Sequence, residues 1–361
     1  MSEAGALVLF GAGADAARQK MVIVRNKFSN QEQEEPYHEM VRDICSTTLK
    51  RRFCYRTFYK DFKAVISKGP YVNKHRIYMC KNALTGNPVA LKVKVAGDDA
   101  DREREFNYNM YEVYFCNRLC RTGNPHVVQL QQVWANSRAG EVYLEMEQCG
   151  PNLESLVTKH ASCMPLSLAI PLLKQALRAL YYCHQNCVIH GDVKPANFVL
   201  NPERTGAYAL KLCDFDMARE TAHPLQSIPL ETNTNDRRML PLEILLRYPS
   251  MSAAVDIFAL GCTLVKMVGG NPALFETLDW QEQLNYLHRA VGPVTPDHLA
   301  AAHPESTLTL PTASDSCPEF DTVQNLDPLL PSLLARMLHL DATLRITAFA
   351  ALHHPLFYKI Q

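Results

Sequence analysis

The stretch VIHGDVKPANFVL, residues 188–200, decides how this chain is read. It sets a carboxylate, Asp192, four intervening residues before an amide, Asn197, on a loop between a helix end and the β-like run FVL. A carboxylate so placed can orient a hydroxyl nucleophile while the amide holds a magnesium ion. An isolated Asp-x-x-x-x-Asn is common in structural loops, but the full string HxDxKPxN, with Lys194 between the two, is far more specific.

Downstream lies KLCDFDMA, residues 211–218, where Asp214 follows β-like residues and precedes an aromatic. A hard cation bridging phosphate oxygens wants such a carboxylate. Upstream lies PVALKVKV, residues 88–95, a strand-like run carrying Lys92. Between them, REREFNYNMYEVYFCNRLC (102–120) reads as a helix whose packed side is Phe106, Met110, Val113 and Leu119. A lone strand lysine is usually a solvated edge residue, so the order of these strings along the chain carries more weight than any one of them.

In that order they resemble the eukaryotic-type protein kinases, over roughly residues 57–360. The resemblance implies an α+β, two-lobed fold: a small β-rich lobe with one helix, then a larger helical lobe. It implies that Asp192 orients the acceptor and that Lys194 contacts the transferred phosphoryl group, favouring Ser/Thr. Asn197 and Asp214 are the expected metal ligands. Lys92 is expected to neutralise the α- and β-phosphates, paired with Glu112, the helix glutamate found by counting back from Leu119; Glu103 and Glu105 rank lower, as solvated residues. ATP and Mg²⁺ follow as cofactors, with Mn²⁺ as the alternative metal. Met146 occupies the gatekeeper place, Glu147 to Cys149 offer backbone groups to adenine, and Ala90 and Val199 lie above and below the ring. Glu243 in LPLEILL and Arg345 resemble a structural ion pair, and Asp256 the residue that holds the catalytic-loop backbone. The last third is most similar to the cyclin-dependent, MAP and Clk/Dyrk-like group, the CMGC kinases. HGD resembles vaccinia-related kinases instead, and GPNLESL casein-kinase-1-like sequences.

Three departures shape the expectations. The segment ISKGPYVNKHRIY (66–78) keeps only Gly69 of a glycine-rich phosphate loop, leaving Lys68, Lys74 and His75 as substitute phosphate contacts. Asp216 stands where the family has glycine, adding a negative charge beside the metal, so that metal preference or activity would change. Gly191 replaces the arginine that reads an activation-loop phosphate, which predicts activity independent of phosphorylation at Thr221, Ser227, Thr232 or Thr234; Leu240 replaces an arginine tied to proline-directed choice. The leading expectation is an active protein Ser/Thr kinase. The alternative is a pseudokinase or weak kinase serving as a regulatory scaffold. A small-molecule phosphotransferase is disfavoured by Glu243, Arg345 and the helical tail.

Composition agrees with a folded enzyme. The 361 residues are 47% hydrophobic, and Lys+Arg and Asp+Glu both number 37, so no global field draws the chain to nucleic acid or to a membrane. No run reaches the ~18 apolar residues of a span, and the twelve cysteines form no disulfide-like framework, which suits a reducing cytoplasmic or nuclear location. Cys183, His184, Cys187 and His190 are metal-ligand types at close spacing, but the kinase pattern explains the same stretch. The expected domains are an extension, 1–56, a small lobe, 57–149, and a large lobe, 150–361. Partners are a protein substrate, ATP and a regulatory protein on the extension or small lobe.

Overall fold

The computed structural model describes residues 39–40, 44, 55–65, 75–97, 102–120, 123–137, 139–202, 207–221, 240–248, 251–269, 279–302, 306, 308–311 and 326–358. These fall into two compact units. One runs up to Cys149 and also takes in Asp214–Ala218; the other holds Gly150–Cys213 and the residues from Arg219 onward. The segment carrying Asp214 and Asp216 thus belongs with the first unit and not with its flanks in sequence.

The first unit is a sheet with one long helix. A short helix α1 (Tyr55–Phe58) leads into β1 (Tyr59–Val65), β2 (His75–Asn82) and β3 (Pro88–Val95); α2 (Arg102–Cys120) follows, then β4 (Leu130–Asn136) and β5 (Glu141–Glu147). The strands form one antiparallel sheet in the order β1-β2-β3-β5-β4. The strand read from PVALKVKV is β3, whereas YKDFKAV carries no such apolar run in the sequence. As an edge strand it pairs only with β2, so its lysines can stay in water; its register breaks between Lys60 and Lys63, where Asp61 takes a positive φ of 56°.

Side-chain alternation in β3 decides what each face of the sheet can do. Val89, Leu91 and Val93 pack with Tyr59, Cys80 and Tyr143 in an apolar cluster, against which Tyr55, Phe58 and Trp134 lie. The Tyr59 hydroxyl donates to Glu145 Oε2 at 2.6 Å and accepts from Trp134 Nε1 at 2.8 Å; burial, then this carboxylate, pushes the phenol well above its ordinary range. Lys92 and Lys94, two residues apart, consequently share the opposite face. On α2, Phe106, Met110, Val113 and Leu119 are all buried, as their spacing predicts.

The second unit is mainly helical. Its elements are α3 (Leu153–Lys159), α4 (Leu166–Gln185), β6 (Val188–Ile189), β7 (Phe198–Pro202), β8 (Tyr208–Leu212), β9 (Arg219–Glu220), α5 (Leu242–Leu245), α6 (Ala254–Val268), α7 (Trp280–Ala290), α8 (Pro296–Ala300), α9 (Leu329–Met337) and α10 (Ala348–Leu352). Helix α6 is buried on nearly every side, with Asp256 and Thr263 among its buried residues. At Gly261 a Cβ would meet Leu338 Cδ2 at 2.7 Å, so glycine permits that close packing. Among the described residues no helix is long and apolar enough to cross a membrane.

Glu243 on α5 and Arg345 form a two-pronged buried pair: Nη1 donates to Oε1 at 2.7 Å and Nη2 to Oε2 at 3.0 Å. Arg345 also donates to the carbonyls of His339 and Ala254, both at 2.9 Å, and its guanidinium lies over the Phe258 ring. Five donors in a planar fork explain why arginine and not lysine serves here.

Candidate functional site

In the helical unit, α4 ends at Asn186 and Cys187 turns the chain with a left-handed φ of 56°. After β6 the backbone is caught by Asp256: the amides of His190 and Gly191 donate to its two carboxylate oxygens, each at 2.8 Å, and His184 Nε2 lies 2.9 Å from Oδ2. Burial alone would raise the Asp256 carboxyl, but His184 and these donors hold it below its ordinary value. Gly191 has φ 75°, a conformation that glycine adopts without the strain of a Cβ.

This anchored loop presents Asp192. Lys194 Nζ lies 2.9 Å from Asp192 Oδ2, and Asn197 Nδ2 donates at 2.8 Å to that oxygen and to the Asp192 carbonyl. Asp192 and Asn197 are buried, while Lys194 is partly exposed. Both of these side-chain hydrogen bonds run through the Asn197 Nδ2, and the amide's oxygen is a hard donor of the kind a divalent cation takes. Val199 lies on β7, opposite Lys211 on β8.

In the sheet unit, five charged side chains converge. Lys92 Nζ donates to Glu112 Oε1 at 2.7 Å and Oε2 at 2.9 Å, and to Asp214 Oδ1 at 2.7 Å. Lys94 Nζ donates to Glu112 Oε2 at 2.9 Å and also to Asp216 Oδ1. Burial would lower both ammonium groups, yet the surrounding carboxylates, Asp214 first for Lys92 and Asp216 first for Lys94, raise them above the ordinary lysine value. Burial would raise Asp214, but Lys92 brings it below its ordinary value. Asp214 itself takes a left-handed backbone, φ 68°, which aspartate tolerates better than most residues.

Lys92, Glu112 and Asp214 come together in the sheet unit, and Asp192, Lys194 and Asn197 in the helical unit. Ala90 and Met146 are cross-strand partners on β3 and β5, with Glu147 and Cys149 following. The Glu147 amide donates to the Gln129 carbonyl at 3.0 Å. Gly69, Lys68, Lys74, Ser227, Thr232 and Thr234 lie outside the described residues. Glu103 is exposed, but Glu105 is not simply solvated, since it accepts from the Gly97 amide.

The charge added at Asp216 has a partner that the sequence reading did not name. Asp216 does not add an unmatched charge, because Lys94 is bonded to it; the signal was available in PVALKVKV, where residues two apart on a strand must face the same way. Among the described residues, the one group of side chains whose ligand atoms could close on a metal is Glu112, Asp214 and Asp216, which includes the expected ligand Asp214. Of the three, Glu112 is held by both lysines, Asp216 by Lys94 with Lys92 3.9 Å away, and Asp214 by Lys92; Asp214, 37% exposed, is the most open to a cation.

The family model for the protein kinase domain matches residues 73–357. Two similar curated relatives are cyclin-dependent kinase G1 of Arabidopsis thaliana and mitogen-activated protein kinase HOG1B of Wallemia ichthyophaga. The first is 27% identical over 79% of this chain and 47% of its own length; the second is 28% identical over 76% of this chain and 71% of its own. The chain therefore spans less than half of the first relative.

Proposed function

We propose, since the chain belongs to the protein kinase domain family, that it is an ATP-dependent protein kinase transferring the γ-phosphoryl group to serine or threonine hydroxyls. The observation that carries this reading is the Asp192 loop, whose carboxylate is fixed by Lys194 and Asn197 while its backbone is pinned to Asp256. A carboxylate held that way orients the acceptor hydroxyl and takes its proton. Lys194 stabilises charge on the phosphoryl group. Lys92, kept charged by Asp214 and Glu112, neutralises the α- and β-phosphates, and the oxygen donors of Asn197 and Asp214 suit Mg²⁺ or Mn²⁺. A bound divalent ion supplies charge neutralisation on the phosphate oxygens. By the family resemblance, Ala90, Met146, Val199 and the backbone near Cys149 are taken as the adenine contacts and Gly69 as part of the phosphate loop.

The same reading takes 57–149 and 150–361 as the two lobes, 1–56 as an extension that carries a regulatory partner, and the cytoplasm or nucleus as the location. The test is transfer of label from ATP to a generic basic protein, with Mg²⁺ and with Mn²⁺, followed by phosphoamino-acid identification, for wild type, Lys92→Met and Asp192→Asn. Label on serine or threonine that both substitutions abolish supports the proposal. Equal label in all three proteins, or nucleotide binding without turnover, defeats it.

A further inference from the structure

Lys94 is fully buried, on the same face of β3 as Lys92, and it has two carboxylate partners, Glu112 and Asp216. A buried ammonium stripped of a partner is costly, because water cannot reach it to replace the lost charge. Asp216 is different, with its side chain 21% exposed, so it can be partly solvated when alone. Glu112 stands between the two lysines, giving Oε1 to Lys92 and Oε2 to both. How Glu112 is divided therefore depends on how well Lys94 is satisfied elsewhere.

We propose that Asp216 and Lys94 are a coupled positioning pair: Asp216 satisfies Lys94 and so leaves Glu112 to hold Lys92 in place. The pair also ties the Asp214–Ala218 segment to β3. This rests on the kinase reading only for its functional consequence; the pairing itself does not. Asp216, which takes the place of a glycine, and Lys94 are thereby two halves of one device, and neither touches substrate.

The burial difference fixes the direction of each effect. With Asp216 removed, Lys94 has Glu112 as its remaining carboxylate and draws it from Lys92, which then leans on Asp214. Both the phosphate-binding lysine and the proposed metal ligand are displaced, so nucleotide binding weakens. With Lys94 removed, Glu112 serves Lys92 alone, and Asp216 keeps Lys92 at 3.9 Å and its access to water, so the loss is smaller. With both removed, no buried charge is orphaned and the Lys92–Glu112 pair is restored.

A double-mutant cycle on the full chain tests this, using wild type, Lys94→Met, Asp216→Gly and the double variant. Two readouts are taken: thermal unfolding without ligand, and steady-state transfer as a function of MgATP. Asp216→Gly is expected to lower the melting temperature by about 5 °C or more, Lys94→Met by less, and the double variant to return to within about 2 °C of wild type. The KM for MgATP is expected to rise about tenfold in Asp216→Gly and to recover to within about threefold in the double variant, with kcat changing less than about threefold throughout. Asp216→Asn, which keeps the side-chain volume, repeats the measurement should the glycine variant fold poorly. Additive thermal effects in the cycle overturn the pair whether or not the protein turns over. A kcat loss without a change in KM overturns its positioning role. Strong thermal coupling with no transfer by any of the four proteins upholds the pair and defeats the kinase reading instead.

Discussion

Replacing Glu243 by glutamine should be the most damaging conservative change in the helical unit. The substitution keeps the shape but removes the charge opposite Arg345, and it sets an amide NH₂ against a guanidinium donor where a carboxylate oxygen had accepted at 2.7 or 3.0 Å. Arg345 cannot lose its proton, and it is buried with its remaining bonds going to backbone carbonyls. Breaking one side of such a buried pair costs about 3–5 kcal/mol. For a unit of roughly 200 residues that corresponds to a fall in melting temperature of roughly 6–20 °C. The contrast is Glu154→Gln, which breaks a 2.9 Å pair with Lys266 whose glutamate is 35% exposed; a pair so open to water contributes about 1 kcal/mol or less. Thermal and urea unfolding of the ligand-free protein, followed by far-ultraviolet circular dichroism, reads both variants. If Glu243→Gln melts within about 2 °C of Glu154→Gln, the reasoning from buried charge is refuted.

Three further outcomes follow from the same geometry. Cys187→Gly should raise stability by about 1 kcal/mol, since Cys187 is exposed and holds a left-handed φ of 56° just after α4, and a lower urea midpoint would contradict this. Asp256, whose folded pKa lies below its ordinary value, contributes stability that is complete above about pH 4 and lost as pH falls through the folded value, so the urea midpoint of wild type should drop more steeply between pH 4 and pH 3 than that of Asp256→Asn. Because Gly191 offers no guanidinium to an activation-loop phosphate, phosphatase treatment should leave transfer within about twofold of its starting rate; abolished turnover would show that another residue reads the loop.

Much of the site was legible because its residues are fixed by spacing along one element. Glu112 could be found by counting along a single helix, and Asp192 and Asn197 lie on one short loop. Glu243 and Arg345 were recognisable as a pair only through resemblance, being 102 residues apart; their two-pronged geometry depends on the packing of α5, which no local pattern encodes. The pairing of Asp216 was missed for a related reason. Its partner Lys94 is 122 residues away, and only the strand alternation that turns Lys94 beside Lys92 reveals it. Strand β1 escaped notice because an edge strand may keep polar residues on its open side. The partner of the Glu147 amide was equally hidden, since Gln129 precedes β4 and meets it through sheet register.

The central claim is that Asp192 acts on an acceptor hydroxyl during phosphoryl transfer. Its most direct test is the initial rate of phosphate transfer at saturating MgATP and saturating basic-protein substrate, comparing wild type with Asp192→Asn. The asparagine keeps the size and can still accept from Lys194, but it cannot take a proton. A fall in kcat of about 10²–10⁴, with the KM for MgATP nearly unchanged, is the predicted result. Equal rates for the two proteins would contradict the account.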